Sequence, residues 1–402
     1  MDLIGWVIII AALLVSVMLH ETGHFLLAKK FGMKVTRYFV GFGPTIWSTW
    51  RGETEYGIKA LPIGGFVKIV GMHSLDDPDD PADEPQSFRS KPAWQRILVL
   101  CAGSAMHFLL ALILVFGLAL GVGIASDNTT QLGTISPCVP ASLTAYDNGS
   151  CAGSRLTSPA QLAGLRIGDT VTAFDGHPVS NFTFTQLGSA IRAVPPGSPV
   201  TLTVRRNGKL VTLHTKLASV SGRSGSYLGV APAVVFQVAS PLGAIEYSGT
   251  TFGQVLVGSA QSVAALPGAL HVLFNKKERA STPGGQVTSV VGAAEITGAE
   301  MGSNAGWQYK VSFVLLIIAS LNIFFGVFNM LPLLPLDGGH IAVIVYERIR
   351  AWLARLRGRP DPGLADMAKL VPVMFSLFMV IVIFVIVLVL ADVINPLKIT
   401  GG

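Results

Sequence analysis

The chain has 402 residues, of which half are hydrophobic and only 13% are charged. A mean hydropathy of +0.57 excludes an ordinary soluble protein and predicts a membrane protein with several spans, while the length leaves room for a soluble domain as well. The formal net charge of +6 comes from basic residues beside apolar segments, so we expect membrane lipid and no nucleic acid as partners.

The first predicted helix, about Leu3 to Ala28, is apolar until the short polar cluster HETGH near its end. Four residues separate His20 from His24, so the two imidazoles project from one face of a helix, and Glu21 stands beside them. This pattern is typical of a zinc ion next to a general base. Because an ionisable residue in the lipid layer costs about 2.5–3.5 kcal/mol, metal ligands are favoured over a chance match.

The charges around this helix predict its orientation. Asp2 precedes the apolar run, whereas the basic residues of segment 29–37 follow it, which is the reverse of a secretory signal. We therefore expect a retained helix with its N-terminus outside. His20 lies about ten residues before Lys30, so the cluster should sit roughly 15 Å below the cytoplasmic interface.

Residues 37–70 change to a β-strand pattern. The runs TIWSTW and TEYGIK are rich in aromatic and β-branched residues and flank a turn at Arg51-Gly52-Glu53. We predict a membrane-associated β-hairpin. Its role is either structural, or its exposed edge strand pairs with an extended peptide substrate.

A proline-spaced acidic stretch, residues 76–84, then predicts a disordered linker. The second spanning helix follows, from Ile97 to about Ile124, and returns the chain to the outside. His107 is a polar residue within this helix. It either hydrogen-bonds a neighbouring helix, which we favour, or supports the metal site.

Residues 126–219 are the predicted soluble domain. Short strand-like runs, a helix-like AQLAGL and a hairpin turn at Asn207-Gly208 predict an α+β fold. Cys138 and Cys151 flank a polar loop in this region. A disulfide between them is expected if the domain lies outside the cytoplasm, and two free thiols are the alternative.

The apolar stretch from Pro241 to Phe274 is ambiguous between a surface helix and a span. Its glutamines, its glycines and Pro267 predict a helix along the outer surface. If this stretch crossed the membrane, the topology of everything after it would be inverted.

Val311 to Met330 is the third predicted span, and the sequence NMLPLLPLDGGH ends and follows it. Two prolines break the helix, and a turn allowed by Gly338-Gly339 would direct Asp337 back toward the bundle. Asp337 is the predicted third zinc ligand and His340 the alternative, because catalytic zinc often takes two histidines and a carboxylate.

The order of the spans supports this pairing independently. A chain that enters, returns, forms an outer domain and enters again brings Asp337 to the same cytoplasmic leaflet as His20 and His24. His340 to Arg359 then predicts a basic amphipathic helix on the cytoplasmic interface. Val371 to Leu390 is the fourth span.

These motifs resemble the site-2 protease family of intramembrane zinc metalloproteases, and most of all its bacterial branch related to the regulator of sigma-E protease. The likeness covers nearly the whole chain, including HETGH, GFGPTIW, SFRSKPAWQRILVLCAG, NMLPLLPLDGGH and, similar to a bacterial PDZ domain, SPAQLAGLRIGDTVTAFDGHPVSNF. The resemblance implies Zn²⁺ held by His20, His24 and Asp337. It also implies Glu21 as the catalytic base and Asn329 as a residue that helps to hold the substrate.

The resemblance further implies cleavage, within the inner (cytoplasmic) membrane, of single-pass membrane proteins such as anti-sigma factors already trimmed by another protease. Two features differ from the family pattern. The second span reads Gly103-Ser104 and His107 where Gly-Pro and Asn are frequent, and there is one PDZ domain where some relatives have two.

We therefore expect a membrane α-helical fold with a four-helix transmembrane core, a membrane-associated β-hairpin and an inserted α+β PDZ domain. The predicted regions are 1–125 with the first two spans, HETGH and the hairpin, 126–219 as the extracytoplasmic PDZ domain, 220–310 as an outer linker with a surface helix, and 311–402 with the last two spans, the LDG motif and the cytoplasmic amphipathic helix.

Two other functions are compatible with the sequence. A membrane-anchored PDZ scaffold would hold a structural zinc, and such a site has four protein ligands and no open position. A metal transporter would use His20, His24 and Asp337 as a transit site and would show ion flux across liposomes.

Overall fold

The computed structural model describes residues 3–72, 81–126, 129–147, 149–151, 153–269, 289–303, 305–363, 365 and 367–394. The helices are Leu3–Lys30 (α1), Ala93–Gly121 (α2), Leu143–Asp147 (α3), Pro159–Leu162 (α4), Phe184–Ala193 (α5), Pro241–Ala269 (α6), Val290–Gly302 (α7), Trp307–Asn329 (α8), Asp337–Leu356 (α9) and Met367–Ile394 (α10). The strands are Val35–Arg51 (β1), Thr54–Ile69 (β2), Ile124–Ser126 (β3), Leu132–Ile135 (β4), Thr170–Phe174 (β5), His177–Pro178 (β6), Pro199–Arg206 (β7), Lys209–Lys216 (β8), Val230–Pro232 (β9) and Val235–Gln237 (β10).

The chain divides into two compact units. The first contains the described residues up to Gly121 and those from Ser240 to Ile394, and the second contains those from Val122 to Ala239. In the first unit α1, α2, α8 and the Val371–Ile394 part of α10 are long and apolar enough to cross a membrane, by length and composition. These are the four predicted spans, and they make the chain an integral membrane protein.

Small residues let α1 pack closely between its neighbours. A Cβ atom at Gly23 would lie 2.5 Å from the carbonyl oxygen of Ala102 in α2. A Cβ atom at Gly5 would collide with the carbonyl oxygen of Ala294 in α7. Such close backbone contacts are the usual way in which membrane helices associate, and here they hold the helix that carries HETGH.

The strands β1 and β2 form an antiparallel hairpin that packs against α1. Tyr38 is in register with both Val67 and Tyr56, so the first half of β1 lies between the two ends of β2. The segment 65–69 is consequently an edge of this sheet. The turn between the strands includes Gly52, whose φ of 64° suits glycine better than other residues.

The acidic stretch is partly ordered. Residues 76–80 lie outside the described residues, but Pro81–Gln86 forms a 3₁₀ helix. Asp83 accepts a hydrogen bond from Lys34 at 2.6 Å and Glu84 pairs with Arg89 at 2.7 Å. The prediction of a disordered linker is therefore wrong for residues 81–84, because these ion pairs hold both carboxylates in place.

The apolar stretch from Pro241 forms α6, and residues 270–274 lie outside the described residues. α6 is not among the four candidate spans. Tyr247 and Phe252 nevertheless pack against a cluster built from α2 and α8, and the Phe252 ring meets that of Phe108 edge-on at 5.6 Å. Its position on the outer membrane surface stays a prediction.

The second unit is an α+β fold around a sheet with the strand order β6-β5-β7-β8. The strands β9 and β10 pair with β4 and β3, so the predicted boundary at residue 219 falls inside this unit, which continues to Ala239. Cys138 and Cys151 form the expected disulfide. The assignment of this unit as a PDZ domain stays a prediction.

The surroundings of Asp169 indicate how the stability of the second unit depends on pH. Its side chain is 1% exposed and accepts hydrogen bonds from Arg206 at 2.7 and 2.8 Å and from the Arg166 N–H. Burial alone would raise the pKa of Asp169, but these donors outweigh it and hold the pKa below its usual value. A lowered pKa contributes stability above the unfolded pKa of about 3.9, and that stability is lost as the pH falls through the folded value.

We therefore expect the second unit to lose stability through Asp169 only below about pH 4. Hydrogen exchange in β5 and β7, measured between pH 3 and 7 and corrected for the intrinsic rate, would detect the change. The variant Asp169→Asn should lack this part of the pH dependence, and an unchanged profile in that variant would contradict the assignment.

Glu347 links α9 to α2 through a buried ion pair. Its Oε2 lies 3.2 Å from Nη1 of Arg96, and its Oε1 accepts from the Ala365 N–H at 2.9 Å. Removing one partner leaves a buried charge unpaired, so Glu347→Ala should destabilise the protein by roughly 3 kcal/mol. Thermal unfolding in detergent micelles measures this. The control Glu53→Ala breaks a pair with Lys29 that is 42% exposed at Glu53, and should cost less than about 1 kcal/mol.

Candidate metal centre

Two helices from opposite ends of the chain meet at one cluster of possible metal ligands. α1 carries His20 and His24 one turn apart, and α9 begins at Asp337. The two Nε2 atoms lie 3.0 Å apart, and they lie 3.3 and 3.4 Å from Oδ2 of Asp337. The three side chains proposed from the sequence thus converge on a single point.

These distances fit a zinc ion. Zn–N and Zn–O bonds of about 2.0–2.1 Å in a tetrahedral arrangement place neighbouring ligand atoms about 3.3–3.4 Å apart. The Oδ2 atom of Asp337 is buried without a hydrogen-bond donor, which is costly for a carboxylate unless a cation satisfies it. The donor set and its spacing therefore suit the metal.

The number of ligands distinguishes between kinds of zinc site. Within the part of the chain that the structure describes, the cluster has three members, His20, His24 and Asp337. Structural zinc sites take four protein ligands, whereas catalytic sites take three and keep one position open. His340, the alternative ligand, is buried but does not belong to the cluster. Three protein ligands are the number that a catalytic zinc site takes.

The helix α2 orients the imidazoles from behind. Nδ1 of His24 donates to the carbonyl oxygen of Val99 at 2.7 Å, so Nε2 carries the lone pair that faces the cluster. Gly103 lies directly against both rings, because a Cβ atom there would be 2.5 Å from Nε2 of His24 and from Cε1 of His20. Sequence reasoning missed both contacts, since neither residue is polar and the family resemblance gave Gly103 no role.

The first turn of α9 differs from the prediction. The helix was expected to begin at His340 after a glycine turn, but it begins at Asp337. Cβ atoms at Gly338 or Gly339 would collide with backbone atoms of residues 330–334. The two glycines therefore permit close packing of this turn against the preceding loop, rather than an unusual φ.

Glu21 joins the metal cluster to the edge of the hairpin. Its Oε2 accepts a hydrogen bond from the Val67 N–H at 3.0 Å. Segment 65–69 is an edge strand, and the bond to Glu21 shows that this N–H points away from the rest of the sheet. The carboxylate is thereby oriented through one oxygen, and Oε1 is left for other chemistry.

A cavity of about 610 Å³ opens beside the cluster. This volume is typical of sites that take a small ligand or part of a peptide. Polar side chains, Asn329 among them, face it within an otherwise mostly apolar wall. The lining residues are Ile10, Leu13, Leu14, Val17, His20, Glu21, Pro62, Gly64, His107, Phe325 and Asn329.

His107 hydrogen-bonds a neighbouring helix, as predicted. Its Nδ1 lies 2.9 Å from Oδ1 of Asn322 in α8, and its ring centroid lies 5.0 Å from that of His20. Sequence reasoning missed Asn322. The signal that could have found it is a polar residue within an apolar span, which usually has a partner on a facing helix.

Comparison with known proteins gives matches over nearly the whole chain. The model of Peptidase family M50 matches residues 8–359, a range that includes HETGH and Asp337. The chain is 36% identical to Zinc metalloprotease Rip1 of Mycolicibacterium smegmatis, over 98% of each chain. It is 35% identical to Zinc metalloprotease Rip1 of Mycobacterium tuberculosis (strain H37Rv) and of Mycobacterium bovis BCG, again over 98% of each chain.

Proposed function

Since this chain belongs to peptidase family M50, the site-2 protease family, and is a zinc metalloprotease, we propose that it cuts membrane-spanning segments of single-pass membrane proteins. Anti-sigma factors already trimmed by another protease are the substrate class that we favour. The observation that carries the proposal is the place of the metal cluster, which lies on a cavity lined by α1, α2 and α8, all three of them candidate spans. A peptide bond cut there is one that lipid surrounds before cleavage.

In this proposal His20, His24 and Asp337 hold the zinc ion. Zinc bound there supplies Lewis-acid polarisation of a peptide carbonyl and of the attacking water. Glu21 accepts a proton from that water at Oε1 and returns it to the leaving nitrogen. Its other oxygen stays bonded to the Val67 N–H, which keeps the carboxylate in one orientation. No serine or cysteine nucleophile is needed.

The edge of the hairpin at segment 65–69 is the proposed docking strand for the substrate. Glu21 takes the Val67 N–H, so the substrate would pair from Gly65, which lies two residues away on the same side. Gly65 follows Gly64, which lines the cavity. A substrate segment that pairs with this edge leaves its helical conformation and exposes its peptide bonds. Asn329 lines the same cavity and helps to hold the segment.

The second unit is proposed to be an extracytoplasmic PDZ domain on a protein of the inner (cytoplasmic) membrane. The Cys138–Cys151 disulfide suits an oxidising compartment. The basic residues that follow α1 favour an orientation with the opposite end of that helix outside. Both observations support the same orientation.

The test is cleavage by the purified full-length chain in liposomes that contain a labelled single-pass substrate. We expect cleavage that stops when a chelator removes zinc and returns when zinc is added, with product masses that place the cut bond inside the span. An intact substrate with zinc-loaded protein would overturn the proposal. Peptide binding without cleavage would then support the scaffold, and zinc flux into the liposomes the transporter.

A further inference from the structure

We infer that His107 binds the substrate directly, with Nε2 of its ring accepting a backbone N–H from the peptide segment in the cavity, and that Asn322 positions the ring for this contact. The inference rests on the proposed proteolytic function and adds a specific contact to it. It concerns a histidine that neither the zinc cluster nor the proposed chemistry of Glu21 requires.

The hydrogen-bond network determines which ring nitrogen is available. Nδ2 of Asn322 donates to the carbonyl oxygen of Ile318 at 2.8 Å, so its Oδ1 is the atom that faces His107. That oxygen accepts from Nδ1–H of the ring at 2.9 Å. A neutral imidazole with its proton on Nδ1 has its lone pair on Nε2. His107 therefore offers a hydrogen-bond acceptor.

The pair is rigidly placed. His107 and Asn322 are 3% and 1% exposed, and they connect α2 to α8. The ring nevertheless lines the cavity together with Glu21 and Asn329. An acceptor held by a buried partner loses little freedom when a ligand binds, which favours a specific contact.

An extended peptide carries the matching donors. A strand has hydrogen-bonding groups on both of its edges, and pairing with segment 65–69 uses only one of them. The cavity walls from α2 and α8 then face the second edge, and the lining residues on these helices are His107, Phe325 and Asn329. Among the lining residues His107 is the one that α2 contributes, and its Nε2 can take a substrate N–H.

A purely structural role for His107 makes a different prediction. If the ring only tied α2 to α8, an asparagine at position 107 could keep the bond to Asn322, because its side chain reaches about as far as Nδ1. A glutamine reaches about as far as Nε2 instead. Asparagine at position 107 therefore keeps the hydrogen bond to Asn322 and loses the one to the substrate, whereas glutamine keeps the one to the substrate.

We expect His107→Asn to raise KM about three- to tenfold with little change in kcat, the size of one lost hydrogen bond. His107→Gln should recover most of that loss. In the Glu21→Gln background, where nothing is cleaved, the Kd of a labelled transmembrane peptide should likewise rise in His107→Asn and largely recover in His107→Gln. Zinc content and melting temperature, measured for each variant, report on the metal site and the fold.

A second experiment changes the substrate instead of the protein. Peptides in which one amide is replaced by an ester lack one N–H, and the ester at the contacting position should weaken binding to the wild type about as much as His107→Asn does. The same ester should not weaken binding to that variant further. A His107→Asn protein with the KM and Kd of the wild type would overturn the inference. So would ester peptides that each lose the same affinity for the wild type and for His107→Asn. If the wild type cleaves no transmembrane peptide at all, the proposed function fails instead.

Discussion

Replacing Glu21 with glutamine is expected to leave zinc bound and to slow cleavage of a transmembrane peptide by roughly a hundred- to ten-thousandfold. A positioned general base contributes about that factor, and an amide cannot take the proton of the attacking water. Glutamine has nearly the same shape, and its carbonyl oxygen can still accept from the Val67 N–H at the distance of 3.0 Å found for the carboxylate. The chemistry is therefore removed while the contact to the hairpin is kept.

Metal analysis and single-turnover cleavage of the same preparation measure both expectations. Glu246→Gln is the matched control, because it makes the same chemical change at an exposed position on α6. It should keep both zinc and activity. Loss of zinc together with activity in Glu21→Gln would assign Glu21 to the metal site, and undiminished cleavage would remove it from the reaction.

The second large effect is expected from a single methyl group at Gly103. A Cβ atom there would lie 2.5 Å from Nε2 of His24 and 2.7 Å from Nδ1 of His20, and real Cβ atoms essentially never come within 3.0 Å of other atoms. The His24 ring cannot retreat without losing its bond to Val99. Since displacing metal ligands through their supporting groups typically costs 10–100-fold in affinity, Gly103→Ala should bind zinc at least about 10–100-fold more weakly and lose activity in parallel.

Gly117→Ala is the control for this substitution. Gly117 lies on the same helix, α2, and a Cβ atom there meets nothing within 4 Å. It should keep zinc and activity, because the added methyl group contacts nothing. The helix itself should not be weakened, since alanine favours helices by about 1 kcal/mol over glycine. Competition with a zinc chelator of known affinity measures the metal binding of both variants. A Gly103→Ala protein with wild-type zinc affinity would show that α2 can move away from the rings.

The two substitutions separate two requirements of the site. Glu21 lies in the HETGH motif and is expected to act on the proton, whereas Gly103 lies on another helix and is expected to act on the geometry of the ligands. Loss of activity with zinc retained, and loss of activity with zinc released, are distinguishable outcomes. The pair thus tests whether the cluster and its neighbouring glutamate work as a metalloprotease site.

The four spans and the shared face of His20 and His24 could be predicted from the sequence. Both depend on local regularities, namely the length of an apolar run and the 3.6-residue period of a helix. Asp337 could also be placed near the histidines, because a membrane permits only a few topologies and each crossing changes the side. The hydrogen bond of His107 to a neighbouring helix was predicted on similar grounds, since polar side chains in lipid need partners.

Other features depended on the tertiary structure alone. The contact of Gly103 with the rings, the bond from Val67 to Glu21 and the pairing of β9 with β4 each join residues that are far apart in the chain. No local pattern marks them, because a glycine or a backbone N–H carries no signal of what it will meet. The start of α9 at Asp337 was also not predictable from local sequence. It depends on the close packing of two glycines against residues 330–334, and not on the φ values that glycine permits. Local periodicity thus specifies which side chains share a face, and only the packed helices specify what stands opposite that face.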